Sequence, residues 1–350
     1  MLKRLLTIFC FSLVILGGCS SGANTEQEGN GGEQASDNGT GSEETFVIRA
    51  SNFFAETQTT GQALNKFAEE VAALSDGRVE VQAFHNAELG DHAESIEGTL
   101  SGAIEMTEAG NSGLDQFGVK GISITEMPYL FDDFDDFKTI MNNDEVRALM
   151  EEYIEAQGFK LIGYRYFGPR HTLANKPLRT IEDYQGVNLR APEFDITVEM
   201  MKAWGATPTI IPLTEVYNAI QTGVADGFEG PFTTILSNQS YEVAKYVHLT
   251  NHIFYPGYLL MNKEYFDSLP ADIQEVILEA GRISEEYQLE LTEIEDEEGR
   301  AELEEHGVEI IEYSDLTPFQ NAVQDMRVDL AEEMGPEAQE LLNQIMDIKS

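Results

Sequence analysis

The chain has 350 residues, of which 63 are acidic and 21 are basic, giving a formal net charge of −42 at pH 7. Binding to nucleic-acid phosphates requires a basic surface, so this charge excludes nucleic acid as a partner. The acidity favours a solvated surface suited to a salty or alkaline habitat, where repulsion is screened, over an acidic patch made for one partner.

The N-terminus predicts export and a lipid anchor. A basic pair, Lys3 and Arg4, precedes an apolar run at residues 5–16, which is too short to span a bilayer and is typical of a secretory signal. Residues 16–19 read Leu-Gly-Gly-Cys and resemble a bacterial lipobox, which makes 1–18 a lipoprotein signal peptide and Cys19 the lipidated residue. The alternative is a plain signal peptide with an incidental cysteine.

The segment that begins at Cys19 predicts a tether. Residues 19–44 are rich in Gly, Ser, Asn and Glu, and they bury too little apolar surface to fold, so we expect a lipidated cysteine followed by a disordered linker. Because the only other cysteine, Cys10, lies in the signal peptide, the mature chain has no internal disulfide. The sequence therefore predicts an extracytoplasmic protein that is anchored to the cell membrane through Cys19.

Predicted strands and helices alternate from Thr45 onward. In the first block, apolar periodicity predicts strands at 46–51, 78–84, 104–110 and 161–168, and helices through 64–74, 96–103, the region opened by 131–137, and 146–154. In the second block it predicts strands at 187–192, 207–212, 224–228 and within 241–252, and helices at 195–204 and 215–221, the latter capped by Thr214. Thr180 and Asp183 resemble a capping box.

The acidic segment after Pro270 is periodic in its apolar residues as far as about His306. It predicts either one long helix bridging two lobes or two shorter helices broken near Gly299. Together, the alternating blocks predict a bilobed α/β fold around a ligand cleft. We expect one lobe at 45–167 plus about 256–296 and the other at 168–255 plus about 297–350.

Two arginines indicate what the cleft binds. Arg190 ends a predicted strand, where ligands of α/β sheets are bound, and Arg170 precedes it in the same segment. A guanidinium is always charged and offers a planar donor fork that matches a carboxylate. We therefore predict a site for a small organic acid. Arg49 and Arg78 are expected to face solvent, and the remaining arginines to lie on helices or surfaces.

Several motifs, in order and at consistent spacing, resemble one known family. They are ELGDHAESIEGTLSGAIEM, EMPYLFDDFDDF, NLRAP, WGATPTIIPLTEVYNAIQTGVADGFEG and TNHIF. The chain resembles the DctP-type solute-binding proteins of tripartite ATP-independent periplasmic (TRAP) transporters from about Thr45 to the C-terminal helices. This resemblance implies a bilobed, periplasmic-binding-protein-like fold and a receptor that delivers an organic acid to TRAP permease subunits.

The resemblance also implies roles for individual residues. Arg190, in Leu189-Arg190-Ala191-Pro192, matches the arginine that clamps the ligand carboxylate, and Arg170 matches a second arginine. The alternative for Arg190 is an ion pair with one of the many nearby acids, such as Glu193. Where the family often has an asparagine, this chain has Gly230, so a backbone amide, water or a differently shaped ligand must compensate. The predicted ligand-binding set is Arg190, Arg170, Asn52, Phe53, His92, Leu213, Glu229 and Gly230.

Signatures of catalysis are absent from the sequence. It contains no G-x-S-x-G, no H-E-x-x-H and no glycine-rich phosphate loop, so we predict no enzyme, no cofactor and no metal. We expect a monomer. Presentation of the solute to a sensory kinase stays open as the alternative to transport.

Overall fold

The computed structural model of the protein describes residues 44–192 and 195–349. The predicted signal peptide, Cys19 and nearly all of the linker lie outside these residues, as does Glu193. No helix within the described residues combines the length and the apolar character that crossing a bilayer requires.

The first sheet has five strands in the order β2-β1-β3-β10-β4. They are β1 (Phe46–Ser51), β2 (Val79–Phe84), β3 (Met106–Gly110), β4 (Phe159–Pro169) and β10 (Phe254–Asn262). Strand β1 is parallel to β2 and β3, whereas β10 is antiparallel to β3 and β4. The helices between these strands are α1 (Thr59–Leu74), α2 (His92–Leu100), α3 (Asn111–Asp115), α4 (Phe134–Met141) and α5 (Asp144–Ala156).

The second sheet has six strands in the order β11-β9-β5-β8-β6-β7. They are β5 (His171–Ala174), β6 (Asn188–Ala191), β7 (Thr207–Ile210), β8 (Gly227–Gly230), β9 (Tyr246–His248) and β11 (Glu309–Ile311). Strand β6 is parallel to β7 and β8, and β5 is antiparallel to β8 and β9. The helices inserted here are α6 (Asp195–Ala203), α7 (Val216–Gln221) and α8 (Phe232–Ser237). Two sheets with separate helical layers confirm the predicted bilobed α/β fold.

The remaining helices are α9 (Lys263–Ser268), α10 (Ala271–Glu305), α11 (Thr317–Ala322), α12 (Gln324–Met334) and α13 (Pro336–Lys349). Of these, α10 is one continuous helix of 35 residues, about 50 Å long at 1.5 Å per residue. It reaches both lobes. A Cβ at Gly281 would lie 2.2 Å from the Ile162 carbonyl oxygen of β4, and one at Gly299 would lie 3.0 Å from Phe232 Cβ of α8. The break predicted as an alternative at Gly299 is wrong, because this glycine permits a close helix crossing.

Local details differ from the sequence patterns in two places. Thr214 does not cap α7: a 3₁₀ turn at Leu213–Glu215 leads into the helix, which has no side-chain cap. The second helix ends at Leu100 instead of running to residue 103. The capping box of Thr180 and Asp183 is present and opens a 3₁₀ helix at Ile181–Tyr184.

The last helix bears on the predicted lobe boundaries. Its buried face, with Ala338, Leu341 and Ile345, packs in the same apolar cluster as Ile122 and Tyr153 of the first lobe. Residues 297–350 therefore do not all pack on the second lobe as predicted. The boundaries stay a prediction, which we amend by placing α13 with the first lobe.

Candidate functional site

Arg170 occupies the single position between β4 of the first sheet and β5 of the second. A returning segment runs alongside it. The Arg170 N–H donates to the Ile253 carbonyl oxygen (3.0 Å), and the His252 N–H donates to the Arg170 carbonyl oxygen (3.3 Å). Arg170 therefore lies in a two-stranded connection between the lobes.

The Arg170 guanidinium is bound by Glu229 of β8. Its Nε and Nη2 donate to the two carboxylate oxygens at 2.5 and 2.7 Å, which is the bidentate geometry of a strong ion pair. The Glu229 side chain is fully buried, while that of Arg170 is 16% exposed. Burial alone would raise the pKa of Glu229, but the charge of Arg170, its hydrogen bonds and a bond from His252 lower that pKa far below its usual range. Glu229 is therefore ionised.

His252 completes this cluster as a neutral imidazole. Burial lowers the pKa of His252, and the nearby Glu229 only partly opposes this effect. Its Nε2 lies 3.1 Å from Glu229 Oε2, and its Nδ1 lies 2.8 Å from the Thr250 hydroxyl. A carboxylate only accepts hydrogen bonds, so Nε2 carries the proton and Nδ1 accepts from Thr250.

Arg190 is held differently. It lies in β6 and is only 6% exposed, and its Nε donates to the Ile211 carbonyl oxygen at 2.7 Å. Within residues 44–192 and 195–349, no carboxylate forms an ion pair with its guanidinium. Burial lowers the pKa of Arg190 and the charge of Arg170 adds to this, while Glu229 opposes it; an arginine nevertheless stays protonated.

Arg170 and Glu229 cancel and His252 is neutral, whereas the Arg190 guanidinium has no acidic partner within residues 44–192 and 195–349. A buried cation is stable only when an opposite charge or hydrogen bonds replace its lost hydration. The Ile211 carbonyl fixes the orientation of the Arg190 fork without neutralising it. The site is therefore suited to bind an anion with a planar pair of acceptors, such as a carboxylate.

The predicted first-lobe contacts lie after β1 and at the start of α2. Asn52 is fully buried, and its side chain serves its own loop, accepting from the Phe54 N–H (2.9 Å) and contacting His85 (3.3 Å). Phe53 packs on His92 with ring centroids 4.3 Å apart. The His92 Nε2 accepts from the Gly110 N–H (3.2 Å). Phe53 and His92 are half-buried and accessible, whereas the Asn52 side chain is already engaged.

The other predicted residues lie in the second lobe. Leu213 is 45% exposed in its 3₁₀ turn, so an apolar surface is open there. Gly230 ends β8 and is buried, and a Cβ at this position would lie 3.3 Å from the Phe228 ring. Glu229 is close to the arginines, but its carboxylate is engaged by Arg170 and His252. A direct contact between Glu229 and ligand would compete with that pair.

The prediction that the remaining arginines lie on helices or surfaces is wrong for Arg165, which forms a buried ion pair. Arg165 of β4 is wholly buried and donates from Nε to Glu108 of β3 at 2.9 Å. Its Nη1 donates to the Tyr164 carbonyl oxygen. A signal was present, because residues 159–169 form a strand buried along most of its length and a charge in such a strand requires a partner.

Metal binding has no support in the described parts of the chain, where no three His, Cys, Asp or Glu side chains are grouped to hold an ion. The chemistry that the cluster offers is electrostatic binding.

Comparison with known proteins places this geometry in a family. Residues 50–333 match the family described as bacterial extracellular solute-binding protein, family 7 (DctP). A solute-binding protein of Sulfitobacter sp. (strain NAS-14.1) is 35% identical over 251 residues, which are 71% of this chain and 76% of that protein. The C4-dicarboxylate-binding periplasmic protein DctP of Rhodobacter capsulatus is 27% identical over 299 residues, 84% of this chain and 89% of that protein.

A solved structure is similar over almost its whole length. The TRAP periplasmic solute-binding protein of Chromohalobacter salexigens, with bound D-glucuronate, has a TM-score of 0.79 and 29% identity. The match covers 86% of this chain and 99% of that one.

Proposed function

We propose, since this chain belongs to family 7 of the bacterial extracellular solute-binding proteins, that it captures a small carboxylate solute and delivers it to a TRAP-type secondary transporter. The chain is a receptor of the TRAP type, and its function is binding rather than catalysis. The observation that carries the choice of a carboxylate is the Arg190 guanidinium, which is buried and, among the described residues, has no acidic partner.

Arg190 is the residue that binds the carboxylate in this proposal. Its Nε is fixed by Ile211, which leaves the two Nη groups for a bidentate contact with the solute. Arg170 acts through Glu229 and His252, because its own fork is bound, and it positions the connection between the lobes. Phe53, His92 and Leu213 supply accessible surface on the two sides.

Two relatives support a solute that carries a carboxylate, although the rest of the solute differs between them. The Chromohalobacter protein holds D-glucuronate, and the Rhodobacter protein is named for C4-dicarboxylates. A carboxylate is the group that these two solutes share, and it is the group that the Arg190 guanidinium, which has no acidic partner among the described residues, is suited to bind. Binding between two lobes then stabilises a closed state, which presents the solute to the permease.

The protein acts outside the cytoplasm, as its family does. We further propose that Cys19 carries the lipid that holds it at the membrane and that the receptor is a monomer. Substitution of Cys19 by alanine would then leave the protein without its lipid. Intact mass measurement of the membrane-bound form would detect a diacylated residue 19, and an unmodified cysteine there would overturn the anchor.

The central test is the variant Arg190→Ala. A buried carboxylate–arginine pair that loses one partner costs about 3–5 kcal/mol, or about a hundredfold to several thousandfold in affinity. Calorimetric titration with D-glucuronate, D-gluconate and succinate should show binding to the parent protein and none to the variant, while the thermal transition of the free variant stays cooperative. Arg190→Lys should also fail, because a point charge does not replace the fork. Unchanged binding in either variant would reject this role.

A further inference from the structure

A second pocket, of about 300 Å³, lies between the lobes at the C-terminal helices. Gln320 and Asn321 of α11 line it from the second lobe, because Phe319 of α11 packs in the apolar cluster of that lobe. Lys349 of α13 lines it from the first lobe. The volume is at the small end of the range for ligand sites, roughly 300–1,000 Å³, so an occupant would be small and would contact both lobes.

Two cationic side chains converge on consecutive carbonyl groups at this pocket. Arg327 Nη1 donates to the Tyr129 carbonyl oxygen (3.0 Å), and Lys349 Nζ donates to the Leu130 carbonyl oxygen (2.9 Å). Both cations line the pocket, together with a single acid, Asp132. In a chain with 63 acidic and 21 basic residues, this excess of cations runs against the general charge and favours an anion.

Of the two cations, Arg327 is the one without an acidic partner. Lys349 Nζ lies 3.1 Å from the Asp132 carboxylate and 2.6 Å from that of Asp136. Among the residues that the structure describes, no carboxylate forms an ion pair with Arg327. Arg327 is half-buried, and burial lowers its pKa, which the charge of Asp132 only partly opposes. Since an arginine stays protonated, an anion would replace the hydration that burial removes.

The amide side chains in the pocket favour a tetrahedral anion. Gln320, Asn321 and Gln324 line the pocket, and in the described part of the chain their side-chain amides form no hydrogen bond. A carboxylate has two oxygen atoms, which one guanidinium fork already binds. A phosphate or sulfate group has further oxygen atoms that can accept from amide N–H groups.

A continuous series of hydrogen bonds joins Arg327 to the connection between the lobes. The guanidinium donates to the Tyr129 carbonyl, the Tyr129 N–H donates to the His252 carbonyl oxygen (2.8 Å), and the His252 ring contacts Glu229. Tyr129 has a φ of 55°, a left-handed conformation that is costly for a residue with a side chain, so its contacts must hold it. An anion that draws the guanidinium of Arg327 away from Tyr129 would therefore act on this connection.

We propose that the pocket at Arg327 binds a tetrahedral oxyanion, phosphate or sulfate, and that this anion changes the affinity of the receptor for its solute. The second part rests on the function given above. Because the pocket has walls on both lobes, the anion is bound best at one angle between them, and so is a solute held in the cleft. By linkage, the anion changes the affinity for the solute by the same factor as the solute changes the affinity for the anion.

Calorimetric titration with inorganic phosphate and with sulfate, at constant ionic strength, tests the site. The parent protein should bind one ion, and Arg327→Gln should bind it roughly tenfold or more weakly, the scale of a lost charge-assisted hydrogen bond. Arg327→Lys should also bind it more weakly, because lysine has no fork. Asn321→Ala changes an exposed side chain, so it leaves the fold intact and should still lower the affinity severalfold. The control is Arg179→Gln, which alters an arginine 61% exposed at the surface and should change nothing.

Two further titrations address the solute and the source of the anion. Arg190→Ala should lose the binding of acids and keep that of phosphate. Saturating phosphate should change the affinity of the parent protein for the tightest binder among D-glucuronate, D-gluconate and succinate, and Arg327→Gln should remove this change. Vesicles of phosphatidylglycerol should not displace phosphate, because a net charge of −42 is repelled by an anionic membrane. Displacement by the vesicles would assign the pocket to a lipid head group instead of the free ion.

The outcomes separate this inference from the proposed function. Phosphate and sulfate binding that is absent, that is unchanged in both Arg327→Gln and Asn321→Ala, or that is lost in Arg190→Ala overturns the site and leaves the proposed function intact. An acid affinity that is the same with and without phosphate overturns the coupling. If none of the three acids binds, or if their binding does not depend on Arg190, the proposed function fails while the oxyanion site stands.

Discussion

The pair between Arg170 and Glu229 predicts a large and pH-dependent loss of stability in the variant Arg170→Met. Methionine keeps much of the length of the side chain but removes both bonds to a carboxylate that is fully buried. Breaking a buried ion pair from one side costs about 3–5 kcal/mol. His252 still contacts Glu229 at 3.1 Å, so we expect the lower end, about 3 kcal/mol. That corresponds to a fall in Tm of about 6–12 °C.

The pKa of Glu229 determines how the loss of stability in the variant changes with pH. In the parent protein the pKa of Glu229 is lowered on folding, so the pair stabilises the fold above the unfolded pKa, about 4.3, and loses its effect as the pH falls through the folded pKa. In the variant, burial dominates and raises the folded pKa above the unfolded one. The cost of the lone carboxylate is then greatest at neutral pH and decreases as the carboxyl is protonated.

The assay is thermal unfolding of the parent and the variant between pH 5 and pH 8. The difference in Tm should be largest at pH 8 and smaller at pH 5. The double variant Arg170→Met/Glu229→Gln should recover at least half of the loss, because no buried charge remains. A difference that is constant or grows on acidification would refute the reasoning, as would a double variant no more stable than Arg170→Met.

Three further predictions concern the core. Arg165→Met should cost about 3–5 kcal/mol in urea unfolding, because it leaves the Glu108 carboxyl wholly buried without its partner, where burial already raises its pKa. Gly281→Ala should cost about 1–3 kcal/mol, since its Cβ would lie 2.2 Å from the Ile162 carbonyl oxygen and α10 must shift away from β4. His171→Phe should reduce the loss of stability between pH 6.5 and pH 5 by about 2 kcal/mol. Burial, with a smaller effect of His252 and Arg300, lowers the pKa of His171 to about 3, so the parent protein loses stability as the pH falls below the unfolded value.

Each of these variants has a matched control. Arg78→Met breaks an ion pair whose partner, Asp272, is largely exposed, so it should cost far less stability than Arg165→Met. Gly299→Ala places its Cβ 3.0 Å from a side-chain atom and should cost less than Gly281→Ala. A Gly281→Ala protein as stable as the parent, or an Arg165→Met loss no greater than that of Arg78→Met, would contradict the packing described here. If His171→Phe loses as much stability between pH 6.5 and pH 5 as the parent protein, the buried His171 is not a cause of that loss.

The sequence predicts the fold because each element has its own local pattern. The alternation in residues 46–51 and the heptad-like spacing within 64–71 suffice for a strand and a helix. The continuity of α10 could not be predicted, because a glycine that breaks a helix and one that permits a close crossing look alike in a sequence. Gly299 is distinguished only by Phe232, which is 67 positions away along the chain but packed against it.

The site likewise contains residues whose role could be predicted from the sequence and residues whose role could not. Arg190 could be predicted, since its strand and the motif around it are local. The role of Arg170 could not, because its partner Glu229 lies 59 positions away and is brought to it by the antiparallel register of β5 with β8. An arginine that is free to bind a solute and an arginine that is already paired within the protein cannot be told apart in the sequence. The burial of Arg165 similarly depends on how β4, β10 and β3 are ordered in the first sheet.

The helix α10 is held where Gly281 meets β4 and again where Gly299 meets α8, 18 residues or about 27 Å further on. Because α10 contacts one lobe at Gly281 and the other at Gly299, a change in the angle between the lobes would bend the helix unless one of these contacts shifts. Closure of the lobes around a solute would therefore be opposed by the stiffness of α10 between Gly281 and Gly299.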